Sequence, residues 1–202
     1  MKTNRAVPVI TSRGCPFQCC FCSIHLHMGH KWRHHSPEYV LRYLKYLREK
    51  YDVRHVSFED DNLTLSNERF EKILDGIIGE KLNVTWDTPN GVRADRLDEN
   101  LIRKAKRSGC KRLVIGVESG DQDVLNTIVN KKLKLENVDK AAALCKKVSL
   151  DLHAFFMVGL VGETKQNIQN TFNFAYMLAR KYNVAPASLR TSVNSRLVNW
   201  LP

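Results

Sequence analysis

The sequence predicts an α/β fold built on a parallel sheet: a β/α barrel, or part of one. Three observations lead there. Apolar runs of strand length alternate five times with segments of helical periodicity, at βαβ spacing and with no solenoid repeat or low-complexity tract. The run Leu150 to Val158 reads as an apolar strand buried in a parallel sheet. Each polar motif of chemical interest falls at the C-terminal end of a predicted strand, where parallel α/β folds form their active sites.

Residues Ala6 to Thr11 read as the opening strand. It feeds Arg13-Gly14-Cys15-Pro16-Phe17-Gln18-Cys19-Cys20-Phe21-Cys22, a loop with three cysteines at C-x3-C-x2-C. Such a loop folds its thiolates onto one metal centre, and thiolate is the soft ligand of iron–sulfur clusters and zinc. Three ligands leave a fourth corner, either filled by a distant residue or open for chemistry. Ser23 to His35 reads as a loop over the cysteines; its five histidines (His25, His27, His30, His34, His35) lack regular ligand spacing, and Cys20 reads as packing.

Ser36-Pro37-Glu38 starts a helix: a capping serine, proline at the first position, then an acid that complements the dipole. Val40, Leu41, Leu44 and Leu47 give it one buried face, and Tyr51-Asp52 ends it. Val53 to Phe58 is the second strand. Ser66 opens the next helix, with Phe70, Ile73, Leu74, Ile77 and Ile78 on one side and Gly79 near its end. Asn83 to Asp87 is a third strand, Leu97 to Ser108 a helix closed by Gly109, and Lys111 to Val117 a fourth strand. Asp121 to Lys147 holds two helical pieces broken around Lys131 to Glu136. After the fifth strand, Thr164 caps a long helix through Ile168, Phe172, Ala175, Leu178 and Ala179, and Ala187 to Val193 is the sixth strand.

The 202 residues favour one domain, large enough to bury a core without disulfides. Four of six cysteines crowd one loop, three of them at the ligand spacing, and no charged-then-apolar leader precedes them. Metal-bound thiolates in a reducing, cytoplasmic setting are therefore expected over a secreted disulfide scaffold. No apolar run approaches membrane-spanning length. The net charge of +11 is spread along helix faces (Arg42, Lys45, Arg48, Lys50; Arg103, Lys104, Lys106, Arg107; Lys131, Lys132, Lys134) and interleaved with acids. It reads as solvated surface, and no aromatic-plus-basic single-strand platform accompanies it, although an anionic partner stays open.

Cys15, Cys19 and Cys22, with Phe21 before the last, resemble the signature loop of the radical SAM (S-adenosylmethionine) enzymes. Ser12-Arg13-Gly14-Cys15-Pro16, Phe58-Glu59-Asp60-Asp61-Asn62, Pro89-Asn90-Gly91-Val92-Arg93, Gly116-Val117-Glu118-Ser119-Gly120 and Gly159-Leu160-Val161-Gly162-Glu163-Thr164 follow in the order of that family. Together, over roughly Val7 to Val184, they resemble the branch often associated with a cobalamin-binding domain. The resemblance implies a partial (β/α)6 TIM-like barrel over residues 1–193, barely complete at its C-terminus. It also implies an atypical tail over 194–202, and any cobalamin domain outside this chain.

The resemblance also implies roles. Cys15, Cys19 and Cys22 would hold three irons of a 4Fe-4S cluster, and the bare fourth iron would be chelated by S-adenosylmethionine. Reductive cleavage would then give methionine and a 5′-deoxyadenosyl radical that takes hydrogen from a small-molecule or biosynthetic substrate, with cobalamin-dependent methyl transfer or ring formation as candidate outcomes. The electron would come from an external donor such as flavodoxin or ferredoxin. Asp60 and Asp61, with Glu59 as the alternative, stand where the family contacts the methionine ammonium, a task for an acidic acceptor or an exposed backbone carbonyl. Glu118 and Ser119 would reach the ribose or the methionine end, and Arg93 a carboxylate. Gly159 and Gly162 would admit adenine closely, in a motif closed by Glu163, and Phe21 would pack beside adenine or the cluster. Trp32 and Trp86 sit on or near the same rim, with core packing as their default.

Three other readings fit these residues. A transfer-RNA methylthiotransferase-like enzyme would suit the positive charge but shows no RNA-binding module. A non-catalytic zinc or iron–sulfur module would use the cysteines structurally, with a histidine as fourth ligand. A truncated, inactive core is the third.

Overall fold

A computed structural model describes residues 5–191. Six strands, β1 (Ala6–Val9), β2 (His55–Phe58), β3 (Thr85–Asp87), β4 (Cys110–Glu118), β5 (Asp151–Val158) and β6 (Ala185–Thr191), form one sheet in chain order with every neighbouring pair parallel. Five helices connect them: α1 (Pro37–Tyr51), α2 (Asn67–Gly79), α3 (Glu99–Arg107), α4 (Leu135–Lys147) and α5 (Lys165–Tyr182). Sequential order with right-handed crossovers curls such a sheet towards a barrel. Among the described residues β6 does not pair back onto β1, so the barrel is open. The alternation of strands and helices expected from the sequence is thus present, and β6 supplies the sixth strand. The tail, 194–202, lies outside the described residues.

The helix signals act as read. Ser36 Oγ accepts the Tyr39 N–H, Ser66 Oγ accepts the Arg69 N–H, and Thr164 forms a reciprocal capping box with Asn167. Where boundaries differ, local chemistry explains it. Asp52 takes φ +51° and the Val53 N–H closes onto Leu47, so β2 begins two residues late. Lys81 and Asn83, both left-handed, delay β3. The first helical piece after Asp121 is a single π-type turn, Val124–Ile128. The histidine segment holds one helical turn, Ile24–His27, and a two-residue ladder pairs Arg33–His34 with Ser12–Arg13. β5 is not apolar on both faces: it alternates, with Asp151 exposed and His153 and Phe155 half-buried.

The core lies between sheet and helices. Trp86, Phe58 and Phe70 meet edge-to-face at centroid separations of 5.5, 5.7 and 6.3 Å, and the Trp86 indole N–H donates to Ser108 Oγ at 3.1 Å. Trp86 is therefore core, as its default role holds, and not rim. Trp86→Ala is expected to lower unfolding free energy by about 3–5 kcal/mol, read as a lower urea midpoint at unchanged slope. The opposite faces of the strands are polar: Ser57 and Arg112 both donate to Asp87, at 2.8 and 2.6 Å, across three adjacent strands. No helix among the described residues is long and apolar enough to cross a membrane.

Candidate active site

The cysteine loop leaves β1 and is fixed from beneath by the turn after β2. Asp60 is buried, and its carboxylate accepts the Thr11 N–H at 3.0 Å, the Thr11 hydroxyl at 2.7 Å and the Ser12 hydroxyl at 2.5 Å. Asp61 accepts the Gly14 N–H at 2.7 Å. Arg69 ties the same corner by donating to the Thr11 and His35 carbonyls. These bonds end β1 at Val9, short of the expected Thr11. Both carboxylates are thus spent on holding the loop. Gly14 has φ +84°, and a Cβ there would collide with the Lys31 carbonyl oxygen. Gly14→Ala is expected to displace the loop and to lower cluster iron content severalfold, with the far-ultraviolet circular dichroism retained.

Cys15, Cys19 and Cys22 are free thiols, each half-buried. Asn62 Nδ2 donates to Cys15 Sγ at 3.5 Å. Burial pushes the Cys19 thiol up, Lys131 and Arg93 pull it back, and Cys22 and Cys15 push with burial, so both other loop thiols lie within electrostatic reach of Cys19. Among the described residues no three His, Cys, Asp or Glu side chains converge closely enough to share a single ion. An iron–sulfur cube takes each thiolate on a different iron. Three part-exposed thiols on one loop, with a side-chain donor at Cys15 and two cations acting on Cys19, fit that group. Cys20 is exposed, with its N–H bonded to the Val129 carbonyl at 3.0 Å. Cys110 and Cys145 are buried, Cys145 pushed up to about 12 by that burial, which disfavours a thiolate.

The other wall is a strap, Val129–Lys132, in which Asn130 and Lys132 are left-handed. It grips the cysteine loop through Val129 and through Asn130 Nδ2, which donates to the Gln18 carbonyl at 3.4 Å. Arg93 is buried under it. Its fork donates to both Asp95 carboxylate oxygens at 2.9 and 3.1 Å and to the Lys131 and Lys132 carbonyls, while its plane lies 3.9 Å from the Phe17 ring centroid. Arg93 thus has a carboxylate partner already, and it braces the loop.

Lys131, which the sequence places on a solvated face, is instead turned inward. It is 7% exposed, and its Nζ donates to Glu118 Oε1 at 2.8 Å. Glu118 ends β4 at φ +72°, equally buried. Gly116 makes room for the pair, since a Cβ there would stand 2.6 Å from Glu118 Oε1 and 2.9 Å from Lys131 Nζ. The glycine two residues before an acid at a strand end was the signal available in the sequence.

Ser119 is not brought to the site. Its hydroxyl is fully buried against Thr171 Oγ1 at 3.0 Å and accepts the Asp121 N–H, which fastens the turn to α5. After β5, Gly159 and Gly162 take φ +79° and +96°. Glu163 Oε2 accepts the Leu160 N–H at 2.8 Å, while Oε1 is buried without a partner. Burial raises the Glu163 carboxyl, opposed by the Leu160 and Gly159 N–H groups. Phe21 is 38% exposed on the loop. Trp32 is half-buried between the His34 ring at 4.5 Å and the Arg69 guanidinium at 5.8 Å.

Residues 9–175 match the model of the Radical SAM superfamily. The chain belongs to the radical SAM superfamily. It is 33% identical to an uncharacterized methyltransferase of Pyrococcus horikoshii over 86% of this chain and 37% of that protein. It is 29% identical to the anaerobic magnesium-protoporphyrin IX monomethyl ester cyclase of Rubrivivax gelatinosus over 91% of this chain and 32% of that one. Among solved structures, the radical SAM methyltransferase TsrM of Kitasatospora setae, with cobalamin and a [4Fe-4S] cluster bound, superposes with a TM-score of 0.77 at 15% identity, over 85% of this chain and 34% of its own. That likeness shows a shared fold. The radical SAM chain described here spans about a third of the length of these relatives.

Proposed function

We propose that this chain is the core of a radical SAM enzyme in which Cys15, Cys19 and Cys22 hold a 4Fe-4S cluster. The observation that carries the reading is the registration of three half-buried thiols, the Lys131–Glu118 pair and the Gly159–Glu163 turn at the C-terminal ends of β1, β4 and β5. When bound, the cluster supplies the electron and the open iron site for cleaving the sulfonium of S-adenosylmethionine.

The chain's own residues would bind and orient. Asp60, Asp61 and the strap hold the cysteine loop in place. With both carboxylates committed, contact of the β2 turn with the methionine ammonium falls to main-chain carbonyls. Lys131 is the cation placed to meet the methionine carboxylate, in the role expected of Arg93, and Glu118 keeps that ammonium in place. Gly159 and Gly162 bring backbone close to adenine, and Phe21 covers it. Methyl transfer or ring formation, as the relatives' names describe, would follow with cobalamin carried by a domain outside these residues. The substrate would be a small or biosynthetic molecule, the setting reducing and cytoplasmic, and the electron donor an external carrier.

The test is anaerobic reconstitution with iron and sulfide, followed by dithionite and S-adenosylmethionine. Equal yields of 5′-deoxyadenosine and methionine are expected. Cluster-loaded protein that leaves the sulfonium intact, with or without added cobalamin, would contradict the proposal.

A further inference from the structure

Reductive cleavage consumes one electron that neither the sulfonium nor any side chain of this fold supplies, so a carrier must dock and leave oxidised by one electron. We propose, resting on the function above, that the face formed by Arg13 and the segment Ser23–His34 is the docking surface for an acidic electron-carrier protein.

Charge comes first. Residues 1–37 contain Lys2, Arg5, Arg13, Lys31 and Arg33, together with five histidines, and no aspartate or glutamate. Among the described residues Arg13, Lys31 and Arg33 are exposed and make no ion pair. Arg13 and Arg33 stand directly opposite each other in the two-residue antiparallel ladder. Like charges at that position are destabilising, and the usual remedy, an acid nearby, is missing: Asp61 is committed to the Gly14 N–H.

These groups form one patch against the cysteines. The Lys31 and Gly29 carbonyls lie against Gly14, next to Cys15. Arg33 folds over the short helix to donate to the Met28 carbonyl at 2.9 Å, and the His25 and His30 rings stack with centroids 5.2 Å apart. An apolar side chain accompanies these basic groups. Leu26 is 73% exposed at the crest of the helical turn. A small apolar centre with a one-sign charged rim is the anatomy of a transient complex. Electrostatics steers its encounter, and its area stays at the low end of protein interfaces. Packed against Gly14 beside Cys15, it brings the carrier next to the cysteine loop.

The test uses a purified flavodoxin as the acidic carrier and the double variant Lys31→Glu/Arg33→Glu, with Leu26→Ser alongside. Binding is titrated with the cluster-free chain as well as the reconstituted protein. The wild type is expected to bind, with affinity falling as salt rises; charge reversal should weaken it about tenfold or more, and Leu26→Ser less. Carrier-driven formation of 5′-deoxyadenosine should fall in parallel, while dithionite-driven formation stays at the wild-type level. Unchanged carrier affinity and carrier-driven rate in the charge-reversed variant would overturn the inference. So would binding of transfer RNA or phosphatidylserine vesicles through these residues with no binding of flavodoxin. Failure of the wild type even with dithionite would count instead against the enzyme reading itself.

Discussion

Cys15→Ala, Cys19→Ala and Cys22→Ala are each expected to abolish assembly of an intact cluster and formation of 5′-deoxyadenosine. In the proposed ligation each thiolate would hold one iron, and no other described thiol is placed to replace it. Cys20 shares the loop but is exposed, and its backbone is fixed to Val129 on the strap side. Cys110 and Cys145 are in the core, where burial pushes both thiols up. The matching changes at Cys20, Cys110 and Cys145 should therefore leave iron content and the visible absorbance near wild type. Cys110→Ala and Cys145→Ala should cost only stability, through small cavities. A full cluster in any one of the first three variants would break the ligand assignment.

The second large effect is at Lys131. Lys131→Met leaves Glu118 buried with an uncompensated charge, and breaking such a pair costs about 3–5 kcal/mol. The same change removes the cation assigned to the methionine carboxylate. Loss of one charge-assisted contact should weaken S-adenosylmethionine binding by about ten- to a hundredfold. The double variant Lys131→Met/Glu118→Gln separates the two roles. It removes the orphaned charge and should recover most of the lost stability in a urea titration, while ligand affinity stays low. Recovery of both together would mean that the pair acts only as structure.

Much of this was legible in the residues. Ser36-Pro37-Glu38 and Thr164 announced helix starts by local rules that depend on a few neighbouring positions, and both caps form. The cysteine spacing and the order of the strand-end motifs pointed to the family whose model matches. Less legible was where each side chain would point. Asp60, Asp61 and Ser119 lie at strand ends as expected, but the turns aim their oxygens at Thr11, Gly14 and Thr171, partners about fifty residues away. Lys131 looked like one of several surface lysines because nothing local shows that two left-handed neighbours turn it inward. Arg93 looked available for a ligand, whereas Asp95, two residues on, already fills its fork. The ladder between Ser12–Arg13 and Arg33–His34 is too short to leave a periodic signal.

The most direct test of the central claim is Mössbauer spectroscopy of the reconstituted protein with and without S-adenosylmethionine. The account predicts about four irons per chain in one cubane cluster, with one iron distinct from the other three and altered when S-adenosylmethionine binds. A colourless zinc-loaded protein, or four irons that are all ligated by side chains and insensitive to S-adenosylmethionine, would contradict it.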